Sequence, residues 1–234
     1  MQLSLVLPAY NEEHNIERTV TSVAAWFARE HIDGEIIVVD DGSRDGTAGI
    51  LKRLQGSLPF LRVVTHERNL GYGSAVRSGC DAAEKECVGY MDSDGQFAVE
   101  DFNQLLPFLQ EYDFVTGRRI KRADPFIRLV NAKLYGFLVY VALGVWVHDI
   151  NCAMKIWKRS LWANIRPRVS TGALINAEIF YRLNCHGIRW KQIPVRHFAR
   201  ERGVQTGANI RVILKMFRDL FKLKKAIVKE DLIP

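Results

Sequence analysis

The chain has 234 residues, of which 48% are apolar, enough to bury a core the size of one large domain or one and a half. It carries no Ser/Gly/Pro-rich linker, low-complexity tract or internal repeat, which argues against solenoids and flexibly tethered modules. The formal charge of +7, with much of the excess at Arg118, Arg119, Lys121, Arg122, Arg200, Arg202 and the Lys/Arg-rich tail, suits phosphate-bearing ligands, an anionic membrane surface or nucleic acid.

In chain order, Leu3 to Leu7 reads as a strand followed by the loop Pro8-Ala9-Tyr10-Asn11-Glu12-Glu13. Asn11 or a nearby polar residue is placed to cap a helix running to about Arg29, whose acidic start suits the macrodipole. Glu35 to Val39 is a second strand ending in Asp40-Asp41-Gly42-Ser43, and Asp45-Gly46-Thr47 opens a helix to about Gln55. Leu61 to Thr65 is a third strand, after which Asn69-Leu70-Gly71-Tyr72-Gly73-Ser74 leads into a helix through about Glu86. Val88 to Met91 is a fourth strand, Val99 to Tyr112 a helix, and Asp113 to Thr116 a fifth strand. Leu134 to Val147 is a run of 14 apolar or small residues. A membrane span needs about 20, so the run reads either as a core helix or as a segment resting in a membrane interface. Asp149 to Trp157 turns into a strand, Thr171 to Cys185 is a helix, and Arg189 to His197 an edge strand. From Asn209 to about Lys229 a helical period places Ile210, Ile213, Leu214, Phe217, Leu220, Phe221, Ile227 and Val228 on one face with a basic flank. Such a helix either lies on a membrane or packs on the domain with its basic side in water.

Strands alternating with helices of roughly 10–15 residues predict a parallel sheet with helices on both faces. Polar and acidic residues gather where the strands end, at Asn11 and Glu12, Asp40 and Asp41, and Asp92 and Asp94. A core has no use for them there, whereas a ligand cleft at the carboxyl edge does. In Val88-Gly89-Tyr90-Met91-Asp92-Ser93-Asp94-Gly95-Gln96 two carboxylates follow an apolar strand. If the chain kinks at Gly95, both can face one hard cation whose remaining shell is phosphate and water. Read alone, the same residues also suit a surface turn. Cys80, Cys87, Cys152 and Cys185 show no metal-type spacing. Without a signal peptide, they are expected to be buried, reduced thiols of a cytosolic protein.

Taken together, Pro8-Ala9-Tyr10-Asn11-Glu12, Val38-Val39-Asp40-Asp41-Gly42-Ser43 and Asp92-Ser93-Asp94-Gly95-Gln96 resemble the family 2 glycosyltransferases. Gly117-Arg118-Arg119, Asp149-Ile150-Asn151-Cys152-Ala153-Met154-Lys155 and Arg200-Glu201-Arg202-Gly203 are similar to the dolichol-phosphate mannose synthase and polyprenyl-phosphate glycosyltransferase branch. The resemblance spans about residues 3–207. It implies an α/β GT-A fold over 1–207, followed by a basic amphipathic helix and tail over 208–234. It places Pro8, Tyr10, Asn11, Glu12, Asp40 and Asp41 around the base and ribose of a GDP- or UDP-linked sugar. Asp92, Asp94 and Gln96 would hold Mg²⁺ or Mn²⁺ against the diphosphate, with Arg200 and Arg202 closing over it. Gly71, Gly73 and Arg77 would either border the donor or form a plain helix-start turn.

In this branch a polyprenyl phosphate attacks the anomeric carbon with inversion. The resemblance puts Arg119 and Arg128 on that phosphate and Asp149 near the reaction centre. The chain departs from the branch at Arg118, where a small residue is usual, and at Ala132, where a phosphate-binding serine would fall. A rival within the family transfers to a saccharide hydroxyl and needs a carboxylate base, for which Asp149 or Glu178 would serve. A signalling receiver is about half this length. A dinucleotide oxidoreductase would need a third glycine after Gly71-x-Gly73. The implied enzyme works peripherally at the cytoplasmic face of a membrane without a transmembrane helix, binds no nucleic acid, and has room for a membrane partner subunit or self-association.

Overall fold

The computed structural model describes residues 1–120, 126–199 and 218–227, and of 126–129 the backbone only. Lys121, Arg122, Arg200, Arg202 and most of the expected tail helix lie outside the described residues. Seven strands, β1 (Gln2–Ala9), β2 (Asp33–Asp40), β3 (Leu61–Thr65), β4 (Cys87–Met91), β5 (Phe114–Arg119), β6 (Met154–Lys158) and β7 (Trp190–Val195), form one sheet in the order β3-β2-β1-β4-β6-β5-β7. β6 is antiparallel to both β4 and β5, while the other described pairings are parallel.

β1 and β2 are buried from their second or third residue onward. Parallel strands covered on both faces read as continuous apolar runs for this reason. The helices α1 (Ile16–Arg29), α2 (Thr47–Gln55), α3 (Tyr72–Asp81), α4 (Phe102–Leu105), α5 (Phe126–Leu143), α6 (Trp162–Ile165) and α7 (Ile175–Cys185) supply the covering layers. Trp26 of α1 stacks on Phe102 of α4 at 5.7 Å, and Trp157 of β6 lies between Phe114 at 5.5 Å and Trp162 at 5.7 Å. Register aligns Ala9 with Asp40 and Asp40 with Thr65, so the polar loops after β1, β2 and β3 leave from one edge.

Several boundaries differ from the sequence expectation, each for a local reason. Asn11 does not cap α1: it lies in the left-handed region at φ 55, and its Oδ1 accepts the Arg44 N–H at 2.8 Å. The helix begins after Asn15, with the Asn15 and Ile16 N–H groups donating to the Glu12 carbonyl. The helix expected over Val99 to Tyr112 breaks into 3₁₀ turns at Val99–Asp101 and Leu106–Gln110 around the short α4. Pro107 has no N–H to continue an α-helical ladder there.

The run Leu134 to Val147 is helical only to Leu143, because Gly144 takes φ 68 and ends α5 with its N–H on the Tyr140 carbonyl at 2.8 Å. α7 starts at Ile175 rather than Thr171, whose carbonyl instead accepts from Gly73 and Ser74 at the start of α3. In the tail, residues 218–227 are helical and bury Leu220, Leu223 and Ile227, while Phe221, expected on the same face, is exposed. Cys80 and Cys152 are buried as expected; Cys185, the last residue of α7, is exposed.

Candidate active site

The loops after β1 and β2 are laced together. The Asn11 N–H donates to Ser43 Oγ at 2.9 Å and the Glu12 N–H to Thr47 Oγ1 at 2.9 Å. Glu12 accepts from Asn15 Nδ2 at 2.8 Å. Asp40 accepts the Ser43 N–H at 2.9 Å, which folds the Asp-Asp-Gly-Ser turn back on its own strand. Asp41 receives the Leu70 N–H at 2.9 Å, the Gly71 N–H at 2.8 Å and His66 Nδ1 at 2.7 Å. Both carboxylates are almost fully buried, so each organises loop backbone around the cleft. Tyr10 is 41% exposed, with a ring face available to a ligand.

The Asp-x-Asp leaves β4 beside these loops. Ser93, between the two acids, is buried, with its Oγ on the Pro8 carbonyl at 2.7 Å and its own carbonyl accepting Thr19 Oγ1 at 3.0 Å. That clamp turns the flanking carboxylates away from Ser93, and Gly95 supplies the kink at φ 77. Asp94 accepts the Gln96 N–H at 3.1 Å. Asp92 Oδ1 is buried without a hydrogen-bond partner. Burial first, and then the Asp94 charge, push the Asp92 carboxyl up to about 7. A carboxylate left in that condition fits a cation site, because a divalent ion supplies the missing partner and removes the repulsion.

Among the described residues no group of three or more His, Cys, Asp or Glu converges. A cation here therefore completes its shell from Gln96, ligand oxygens or water. Gln96 donates its Nε2 to the Phe198 carbonyl at 3.1 Å, and its backbone carbonyl accepts the Phe198 N–H at 2.9 Å, which ties the loop after β4 to the segment after β7. Arg196 and the buried Asp101 anchor that segment at 2.7 Å.

Across β6 from the Asp-x-Asp, Arg119 grips Asp149 bidentately, Nε to Oδ2 at 2.8 Å and Nη2 to Oδ1 at 2.7 Å. The Arg119 N–H adds a third bond at 3.0 Å. Both side chains are about nine-tenths buried. The Arg128 side chain and all of Arg200 lie outside the described residues.

Gly71, Gly73 and Arg77 pack against the segment 167–172. An added Cβ on Gly71 would meet the Thr171 carbonyl oxygen at 2.7 Å, and one on Gly73 the Gly172 oxygen at 2.7 Å. Arg77 reaches the Pro167 carbonyl at 3.5 Å. Glu178 points away from any base role: fully buried, it accepts from the Arg168 N–H at 2.6 Å, the Ser170 N–H at 2.8 Å and Arg182 at 3.1 Å.

Sequence reasoning missed Tyr72, whose phenol is pushed well up by burial and by the nearby Asp92 charge. It also assigned no task to Lys155, which is fully buried in β6. A lysine inside the apolar run Met154 to Trp157 was the available signal, since lysine is rarely buried without a partner.

Comparison with known proteins places this architecture. Glucosyl-3-phosphoglycerate synthase from Mycobacterium tuberculosis, solved with Mn²⁺, UDP and phosphoglyceric acid, superposes with a TM-score of 0.73. At 20% identity the match covers 95% of this chain and 78% of that one. The superposition and the sheet order show a GT-A fold. The chain belongs to glycosyl transferase family 2, whose family model matches residues 4–183.

Among curated relatives, dodecaprenyl-phosphate galacturonate synthase of Rhizobium johnstonii is 30% identical, over 96% of this chain and 68% of its own length. UDP-N-acetylglucosamine–dolichyl-phosphate N-acetylglucosaminyltransferase of Methanococcus voltae is 25% identical, over 94% of this chain and 95% of its own length. The chain thus spans about two thirds of the first relative and nearly all of the second.

Proposed function

We propose that this glycosyltransferase moves a sugar from a nucleotide-diphosphate donor to a polyprenyl phosphate, with inversion at the anomeric carbon. The observation that carries the choice of acceptor is the bidentate Arg119–Asp149 pair. Transfer to a saccharide hydroxyl needs a carboxylate base. Of the two candidates, Asp149 is bound to arginine and Glu178 to backbone N–H groups. A phosphate monoester oxygen is already anionic at pH 7 and needs no base, so catalysis rests on placement and charge. Two relatives named for transfer to dodecaprenyl and dolichyl phosphate support the same reading.

On this reading Asp92, Asp94 and Gln96 would hold Mg²⁺ or Mn²⁺, which would supply charge neutralisation for the departing diphosphate. Pro8, Tyr10, Asn11 and Glu12 line the donor side with Asp40 and Asp41 setting their loops, and Arg200 covers the diphosphate. Arg119 and Arg128 orient the acceptor phosphate beside Asp149. Residues 1–207 form the catalytic unit, and 208–234 the basic helix and tail. The test is purified protein with Mg²⁺ or Mn²⁺, undecaprenyl or dolichyl phosphate and a panel of UDP- and GDP-sugars, following nucleoside diphosphate release. Release that requires both metal and lipid phosphate is the expected result; release raised by a saccharide and indifferent to lipid phosphate sinks the reading.

The enzyme meets its lipid at a membrane surface through α5. Tyr135 and Val139 bury one side of this helix. Val130, Leu134, Phe137 and Val141 form an exposed apolar stripe at i, i+4, i+7 and i+11, with Tyr140 and Trp146 beside it. A helix apolar on both sides with one side packed has its other side in contact with something other than water. The net charge of +7 favours an anionic bilayer. No helix among the described residues is long and apolar enough to cross a membrane. Phe137→Glu combined with Val141→Glu is expected to cut sedimentation with anionic phospholipid vesicles about tenfold or more, while turnover of a short soluble prenyl phosphate persists.

A further inference from the structure

The Nζ of Lys155 donates to the Cys152 carbonyl and, at 3.4 Å, to that of Ile150. It lies 5.3 Å from the centre of the Tyr90 ring and 5.7 Å from that of Phe180. Register puts Lys155 opposite Tyr90 on β4 and Thr116 on β5, at the middle of three strands. An ammonium here is costly to bury, and apolar side chains of similar length would pack the same space.

The two carbonyls it holds belong to the turn that carries Asp149. The same turn is pinned from α7, where Asn176 donates to Asn151 at 3.3 Å and accepts from the Tyr90 hydroxyl. The Asp149 carboxylate of that turn is held by Arg119.

We infer that Lys155 is a positioning residue for the acceptor phosphate: from within the sheet it fixes the turn that carries Asp149 and, through Asp149, the guanidinium of Arg119. The inference rests on the reading of Arg119 as an acceptor-phosphate group. Among the described residues, the ionisable groups around Lys155 are Cys152 and Asp149 from the turn, Arg119 from β5, and Asp92 and Tyr90 from β4 and its end. From α7 it meets the Phe180 ring, Glu178 being committed to the 168–170 backbone. Burial above all, with Arg119 adding to it, lowers the Lys155 ammonium to about 8 against the pull of Cys152, Asp149 and Asp92.

The test is calorimetric binding of farnesyl phosphate to the full chain with Mg²⁺ present, for the wild type, Lys155→Met and Lys155→Arg. Lys155→Met is expected to weaken farnesyl phosphate about tenfold or more while leaving nucleoside diphosphate binding within twofold. Wild-type affinity is expected to fall as pH rises through about 8, and the Lys155→Arg affinity not to fall. Equal binding of farnesyl phosphate by Lys155→Met and wild type overturns the inference, as does a parallel loss of nucleoside diphosphate binding. If Lys155→Met does not fold, the wild-type profile decides, and flat affinity from pH 7 to about 9.5 overturns it. The absence of any transfer from nucleotide sugars, with the binding difference intact, sinks the proposed reaction and leaves the role of Lys155 standing.

Discussion

Asp94→Ala is expected to lower kcat for sugar transfer by about three orders of magnitude, with the melting temperature little changed. The residue is half-buried on the loop after β4, and its described bond to the Gln96 N–H is local. What it loses is the second carboxylate of a pair whose first member, Asp92, is held near 7 by burial and by Asp94 itself. Removing Asp94 therefore also drops the Asp92 carboxyl toward its ordinary range, so the variant keeps one ionised acid and loses the two-point grip on the cation. Nucleoside diphosphate release assayed against Mg²⁺ concentration checks this. A variant with full activity at low Mg²⁺ would remove the metal assignment.

Glu178→Ala is expected to cost about 3–5 kcal/mol of stability, because it strips a buried arginine of its charge partner. In a chain of this size each kcal/mol moves the melting temperature by about 2–4 °C, so a fall of roughly 10 °C is the expected calorimetric result. The carboxylate is fully buried and gathers the N–H groups of Arg168 and Ser170 together with Arg182. Burial alone would raise its pKa; the two backbone donors and the arginine outweigh burial and hold it below the usual range. The sign of the pH dependence follows. A depressed folded-state value means the stabilisation is complete above the unfolded value and is lost as pH falls through the folded one. The gap between wild type and Glu178→Ala is thus widest near neutral pH and closes in acid. A gap that persists at pH 2 would show that the carboxylate charge is not what holds the 168–170 segment.

The donor half of the sheet was legible because parallel strands buried on both faces leave unbroken apolar runs, and their acidic ends stand out against them. Leu3 to Leu7, Ile36 to Val39 and Val88 to Met91 could be read that way, and with them Asp40, Asp41, Asp92 and Asp94. The acceptor half was less so. Nothing in Met154 to Lys158 announces that this strand enters between β4 and β5 in the opposite direction, since that depends on pairing with residues far away in sequence. Asp149 was marked for the reaction centre through resemblance, but its clasp on Arg119 depends on where β5 and β6 meet. Glu178 read as a cleft candidate because helical periodicity does not tell an inward carboxylate that serves a ligand from one that serves backbone. Gly71 and Gly73 read equally as donor-bordering glycines or as a plain helix-start turn; the approach of residues 171 and 172, a hundred positions later and invisible in the local sequence, sets their need for hydrogen at Cα.

The reversed strand has a consequence for how such an enzyme diversifies. A parallel strand ends at the reactive edge; an antiparallel one starts there, and Met154 pairs with Met91 at the point where β4 gives out. The turn from Asp149 to Ala153 is thus delivered to the same edge from the opposite chain direction, a seam between β1 to β4 with their acidic loops and the strands that carry Arg119 and the segment after β7. Changes on one side of the seam need not propagate through the backbone of the other. On the proposed reading, the residues that choose the sugar nucleotide and those that choose the acceptor lie on opposite sides of that seam, so exchanging one set leaves the backbone of the other in place.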